Sequence, residues 1–156
     1  MVGGISGCSY GDDAKIIACF NSGEIYNETH GAGGICCYHS GGVILNCYNT
    51  GSVYAPMSVG GINGVAGYRD YQTAYTRNCY NIGSVSGNNY VGNITGEASI
   101  EGGTSEDVNC YSQDVTVELL NSGEFSENAW TSDVKNEDET WKYNNGYPIL
   151  KWQLNN

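Results

Sequence analysis

Apolar and polar positions in this chain alternate in bursts of two to six residues, and the bursts recur. One heptapeptide appears three times: Cys19-Phe-Asn-Ser-Gly-Glu-Ile25, Cys47-Tyr-Asn-Thr-Gly-Ser-Val53 and Cys79-Tyr-Asn-Ile-Gly-Ser-Val85. A decayed fourth copy starts at Cys110-Tyr111, and the four cysteines are spaced by 28, 32 and 31 residues. A second motif alternates with the first: Val2-Gly-Gly-Ile5, Ala32-Gly-Gly-Ile35, Val59-Gly-Gly-Ile62 and Val91-Gly-Asn-Ile94. In Cys47-Tyr48-Asn49 a strand's two-residue period sends the first and third side chains one way and the second the other. Asn-x-Gly then supplies a bend, since both residues tolerate positive φ, and the closing Ile or Val starts the next strand. No window carries the 3.6-residue apolar period of an amphipathic helix. Short strands, turns at fixed offsets and a period near 30 residues predict an all-β chain, a β-solenoid (β-helix) of stacked coils.

Stacking makes equivalent side chains neighbours about 4.8 Å apart. Cys19, Cys47, Cys79 and Cys110 are expected to form one buried column of free thiols. Asn21, Asn49 and Asn81 are expected to form an amide ladder, and Phe20, Tyr48, Tyr80 and Tyr111 an aromatic column on one exposed face. The repeats cover residues 1–111, three full and one degenerate, and residues 112–156 form an irregular C-terminal capping segment. That segment holds Trp130, Trp141 and Trp152, all the tryptophan in the chain. Terminal units of solenoids are atypical because an open edge invites aggregation. The three rings are therefore read as packing over the last coil, with Thr116–Asn121 as a short helix and Tyr147–Trp152 as a closing strand. The other use for such rings is a sugar-binding platform.

The alternation of Val-Gly-Gly-Ile-x-Gly with Cys-Tyr-Asn-x-Gly-x-Val resembles the GLUG-motif repeats of large bacterial surface proteins, which include adhesins and the non-catalytic parts of IgA-cleaving metallopeptidases. The full Gly-Gly-Ile-x-Gly form stands at Gly3–Gly7 and Gly60–Gly64. It is weakened where Asn93 and Cys37 replace glycines. The end of the chain, from Leu119-Leu120-Asn121 through Trp130 and Trp141 to Gly146–Trp152, is similar to segments that close such arrays in gut Firmicutes-type surface proteins. The resemblance implies a secreted or surface-displayed interaction module. It carries over no catalytic residue, since the zinc signature His-Glu-x-x-His is absent.

Composition narrows the function further. The net charge of −11 and pI near 4.2 exclude a general nucleic-acid binder. There is no run of about 18 apolar residues, so insertion into a membrane is not expected. Met1 leads straight into a repeat without a signal peptide, which suggests a boundary within a longer protein. Residues 97–156 hold twelve acids and three lysines, read as a solvated cap or a site for a cation or basic partner. Asp12-Asp13, Glu106-Asp107 and Glu137-Asp138-Glu139 offer carboxylates for a weak Ca²⁺ site or for glycoside chemistry, but none recurs at a repeat position. No other cofactor is implied. Cys36-Cys37-x-His39, with His30 nearby, lacks the paired Cys-x-x-Cys spacing of a zinc site and reads as an irregular turn.

The longest gap between motifs, Asn63–Asn78, is the candidate binding loop. It holds Tyr68, Arg69, Tyr71, Tyr75 and Arg77, residue types enriched at binding hot spots, and its other reading is a solvated loop. These features predict a non-enzymatic cell-surface module for adhesion, ligand display or spacing. Its partner is expected to be a host or neighbouring-cell glycan or protein, and self-association through the solenoid ends is plausible. The alternative is a polysaccharide lyase or hydrolase on a β-helix.

Overall fold

The computed structural model describes residues 1–68 and 73–155. The chain winds as a parallel β-solenoid. The first coil contains β1 (Val2–Gly3), β2 (Ser6–Tyr10), β3 (Lys15–Ile17), β4 (Phe20–Asn21) and β5 (Ile25–Tyr26). The second repeats this with β6 (Ala32–Gly33), β7 (Cys36–Ser40), β8 (Gly42–Leu45), β9 (Tyr48–Asn49) and β10 (Val53–Tyr54). The third contains β11 (Met57–Gly60), β12 (Asn63–Tyr68), β13 (Ala74–Arg77), β14 (Tyr80–Asn81) and β15 (Val85–Ser86). A partial fourth adds β16 (Asn89–Gly92), β17 (Thr95–Ile100) and β18 (Ser105–Val108), and Tyr111 bridges to Tyr80. Each strand pairs in parallel with its counterpart one coil away, so motif residues stack on motif residues: Phe20 on Tyr48 on Tyr80, and Ile25 on Val53 on Val85.

The two sequence motifs meet inside each coil. The Asn49 amide donates to Gly51 O at 2.8 Å and to Asn81 Oδ1 at 2.8 Å, and Asn21 donates to Asn49 Oδ1 at 2.7 Å. The side chain of Asn49 lies against the Cα of Gly34, and those of Asn21 and Asn81 lie against Gly4 and Gly61. The ladder pinches the interior into two lobes. On one side Ile35, Ile44 and Ile62 pack with the cysteine column. On the other, Ala32, Val53, Ala55 and Val59 pack with Ile25.

All seven cysteines are free thiols. The repeated ones also do polar work. The residue before each cysteine has positive φ (Ala18 53°, Asn46 52°, Asn78 52°, Asn109 55°). Each thiol donates across that kink to the carbonyl two residues back, at 3.3 Å for Cys19, 3.3 Å for Cys47, 3.1 Å for Cys79 and 3.5 Å for Cys110. A small hydrophobe with a weak donor suits that position. Burial pushes the Cys36 thiol up to about 12 and the Cys79 thiol well above the ordinary range, so both remain protonated and unreactive.

Asparagine tolerates the left-handed conformation, whereas alanine pays for its Cβ. Ala18 is thus the strained member of its column. Ala18→Asn is expected to stabilise the chain by about 1 kcal/mol, read as a higher denaturant midpoint. A lower midpoint would show that the site has no room for the amide.

His39 is fully buried beside Ala66, and among the described residues neither ring nitrogen makes a hydrogen bond of ordinary geometry, the backbone of Tyr75 and Gly42 offering only weaker contacts. Desolvation holds its imidazole below the ordinary 6.5. As pH falls through about 6.5, the unfolded imidazole takes up a proton while the folded one stays neutral. The unfolded state then binds more protons, and stability falls with pH until the lowered folded value is reached. Denaturant midpoints are therefore expected to drop as pH falls from about 7.5 to about 5. His39→Ala, which copies the next coil's Ala66, should flatten that slope whatever it does at neutral pH. An unchanged slope would acquit His39.

The C-terminal segment does not cover the last coil. It runs back down the flank from the fourth coil to the first, as a strap. Helix α1 (Val117–Ser122), with Thr116 as N-cap, lies beside Asn109, whose amide donates to Leu119 O at 3.0 Å. The next segment passes Asn78, which donates to Glu124 O at 2.9 Å, and then Asn46, which donates to Ser126 O at 3.1 Å. Trp152 reaches the first coil, donating through Nε1 to Ala18 O at 3.1 Å. The left-handed asparagine column thus holds the strap coil by coil. The expected closing strand is only β20 (Ile149–Leu150), antiparallel to β19 (Trp130–Thr131), because the chain enters a 3-10 helix at Lys151–Asn155. Between them, four backbone amides (Val134, Tyr143, Asn144 and Gly146) donate to the Asp133 carboxylate at 2.7–3.2 Å and gather the intervening loop.

The strap corrects the expectation of an exposed aromatic column. Tyr48 and Tyr80 are stacked 5.0 Å apart, with Phe20 5.0 Å below, but Leu120, Trp130 and Leu150 bury the two tyrosines. Their hydroxyls are used internally: Tyr48 donates to Gln153 Oε1 at 3.0 Å, and Tyr80 donates to Pro148 O. Of the three tryptophans only Trp130 is fully buried. Trp152 leans on Phe20 at 5.9 Å, and Trp141 sits half-exposed over the Lys135 ammonium at 5.3 Å.

Candidate functional site

The four-stranded sheet β3-β8-β13-β18 has one face inside the solenoid and one outside. Its register puts Ile16, Ile44, Thr76 and Asp107 in one inward column. The alternate positions make two outer rows: Lys15, Val43, Tyr75 and Glu106, and beside it Ile17, Leu45, Arg77 and Val108. The strap passes along this sheet and lays Phe125 and Glu127 against it. The result is a trough of about 400 Å³ whose floor is Ile17, Val43 and Leu45 and whose wall is Tyr75, Arg77 and Phe125. A second hollow of about 390 Å³ continues past Val43 and Tyr75 to Asp12 and Thr73. These volumes fall in the range of ligand clefts, roughly 300–1,000 Å³.

Arg77 anchors the wall. Its guanidinium carbon lies 4.3 Å from the Tyr75 ring centroid and 5.1 Å from that of Phe125, so two aromatic rings hold it by cation–π attraction. Neither Arg77 nor Lys15 is within ion-pairing distance of a described carboxylate. The ion pair found among the described residues is Lys135 with Glu139 at 3.0 Å. The chain has 17 acids and 6 bases, and two of those bases line one trough with no carboxylate partner among the described residues.

The predicted binding residues separate into three groups. Tyr75 and Arg77 come together in this trough. Tyr68 belongs to another column, 5.3 Å from Tyr38, which is 5.5 Å from Tyr10. Arg69 and Tyr71 lie outside the described residues. Most of Asn63–Asn78 is strand rather than loop, because β12 and β13 extend the sheets of the coil below. Lys15, Ile17, Val43, Leu45 and Phe125 were not foreseen. The first four occupy positions two or four before a repeat cysteine, so aligning the repeats on Cys would have found them. Phe125 carries no such signal, since the strap places it.

The other constellations do not assemble. Among the described residues no three His, Cys, Asp or Glu side chains converge as metal ligands. Cys36 and Cys37 are buried in the coil, while His30 is on the surface with Nδ1 2.9 Å from Thr29 Oγ1. Asp107 continues the inward column at the open end of the stack, where it is solvent-exposed, and accepts from Thr95 Oγ1 at 3.0 Å; partial desolvation there raises its carboxyl above the ordinary 3.8. Among the described residues no helix is long and apolar enough to cross a membrane.

Residues 28–54, the second coil and the turn before it, match the family model of the GLUG motif. This is the stretch in which Gly-Gly-Ile and Cys-Tyr-Asn-x-Gly-x-Val face each other across the asparagine ladder. No curated protein and no solved structure matches the chain.

Proposed function

We propose that this GLUG-repeat β-solenoid is a non-enzymatic bacterial surface module for adhesion, with the trough on its β3-β8-β13 face as the contact site for a host or neighbouring-cell glycan or protein. The observation that supports this reading is the pair of cations, Lys15 and Arg77, that have no carboxylate partner among the described residues and flank an aliphatic floor on the outer face. Three coils and the strap supply the lining, so the site is organised before any ligand arrives and little side-chain entropy is lost on contact. No cofactor enters this reading.

Two measurements test it. Beads coated with the chain are expected to attach to cells, and Tyr75→Ala with Arg77→Ala should cut attachment about tenfold, as loss of hot-spot residues does. Antibody to the chain should label intact producing cells. Attachment no better than with albumin-coated beads, or label found only after lysis, would remove the adhesion role. Release of reducing ends from acidic polysaccharides by the purified chain would put the lyase or hydrolase alternative in its place.

A further inference from the structure

Taking the trough as the contact site, we infer that its ligand is an extended protein segment of the pattern acid–x–apolar–x–acid, not a sugar. Lys15 and Arg77 stand two coils and two strand positions apart, a diagonal of roughly 12 Å at sheet spacings. In an extended peptide, residues i and i+4 face the same side about 13 Å apart, with i+2 between them. Two carboxylates at i and i+4 can therefore meet the two cations, while the i+2 side chain rests on the floor between Val43 and Leu45.

Three features disfavour a sugar. The floor is aliphatic. The Tyr75 and Phe125 rings already carry the Arg77 guanidinium, at 4.3 and 5.1 Å, so the ring faces turned toward it are not free to stack on a pyranose. The trough carries its own acid, Glu127, the adjoining hollow holds Asp12, and Glu106 follows Tyr75 in the outer row. A polyanion with a charge on every ring would meet these three carboxylates, whereas a segment with only two charges can avoid them. The guanidinium, already placed against two rings, loses little further freedom on meeting a carboxylate.

The test uses the whole chain and a capped, dye-labelled peptide with glutamates at positions one and five and isoleucine at position three. Fluorescence anisotropy should show saturable binding that weakens with added salt. Lys15→Ala, at an exposed site, and Arg77→Ala should each weaken it about tenfold, the scale of one charge-assisted contact. Exchanging one glutamate for glutamine should cost less in the variant that has lost its partner than in the parent. Leu45→Asp should abolish binding if far-UV circular dichroism shows the fold intact, and Lys15→Ala keeps the test decisive if that variant unfolds. Binding of polygalacturonate but not of the peptide would overturn the inference, as would peptide binding indifferent to Lys15 and Arg77, or no binding of either. Bead attachment is read separately, so attachment without peptide binding overturns the ligand class alone. Loss of both removes the site.

Discussion

Gly34→Ala is expected to leave the chain largely unfolded. A Cβ at this position would overlap the carbonyl oxygen of Gly61 in the coil above and lie 2.6 Å from Asn49 Cγ. Both obstacles are held in place. Gly61 belongs to the next Gly-Gly-Ile turn, and Asn49 is bound to Gly51 and Asn81. Relief would require opening the coil spacing or expelling the amide ladder, which would leave buried donors and acceptors unpaired at about 1–3 kcal/mol each. The loss should exceed about 4 kcal/mol, a large share of the 5–15 kcal/mol that holds a typical domain together. Gly23→Ala is the control: its Cβ would meet only Asn21 Oδ1 at 3.6 Å, and the variant should keep nearly parental stability. Chemical denaturation followed by circular dichroism reads both. A Gly34→Ala midpoint close to that of Gly23→Ala would mean the coils can separate cheaply, and the account of the motif would fail.

Trp130→Ala is expected to cost about 3–5 kcal/mol and to release the strap rather than the stack. The indole is fully buried, packs 6.0 Å from Tyr48 and 5.4 Å from Tyr80, and donates through Nε1 to Asn46 Oδ1 at 3.3 Å. Its backbone is clamped by Asn121, which donates to Trp130 O and accepts from Trp130 N, both at 3.1 Å. Hydrogen exchange should accelerate across 112–155 while the inner strands of the second coil keep their protection. Loss of the strap also removes Phe125 from Arg77, so ligand binding at the trough should weaken in parallel. Trp141→Ala should change little, because that ring is half-exposed and its cation–π partner is the surface Lys135. Uniform exchange across the whole chain in Trp130→Ala would show that strap and stack fold as one unit.

Much of the solenoid was legible because a repeat reports its own register. Cys47-Tyr48-Asn49 and Val59-Gly60-Gly61-Ile62 recur at nearly fixed spacing, and parallel stacking turns recurrence into contact: asparagine on asparagine, ring on ring. The alternation of inward Cys and Asn with outward Tyr follows from the strand period alone. The reading went astray where one copy stands for no other. Residues 112–155 have no second copy, so nothing in their order says whether Trp130 lies over the end of the stack or along its side. Asn46, Asn78 and Asn109 were in plain view before three of the cysteines, and they both take the left-handed kink and hold the strap.

What the residue order determined by itself was therefore the period, the fold class and the identity of the ladders, because these depend on local strand geometry and on like stacking on like. The tertiary structure decided which ladders are buried and which side chains line the outer trough. Tyr48 and Tyr80 would be an exposed column in an isolated coil stack, and they are core because Leu120, Trp130 and Leu150 cover them. Tyr75 and Arg77 belong to a wall only because Phe125 arrives from 48 positions further on than Arg77 to close it. Burial and cleft shape are sums over chain segments distant in sequence, and no local pattern carries such a sum.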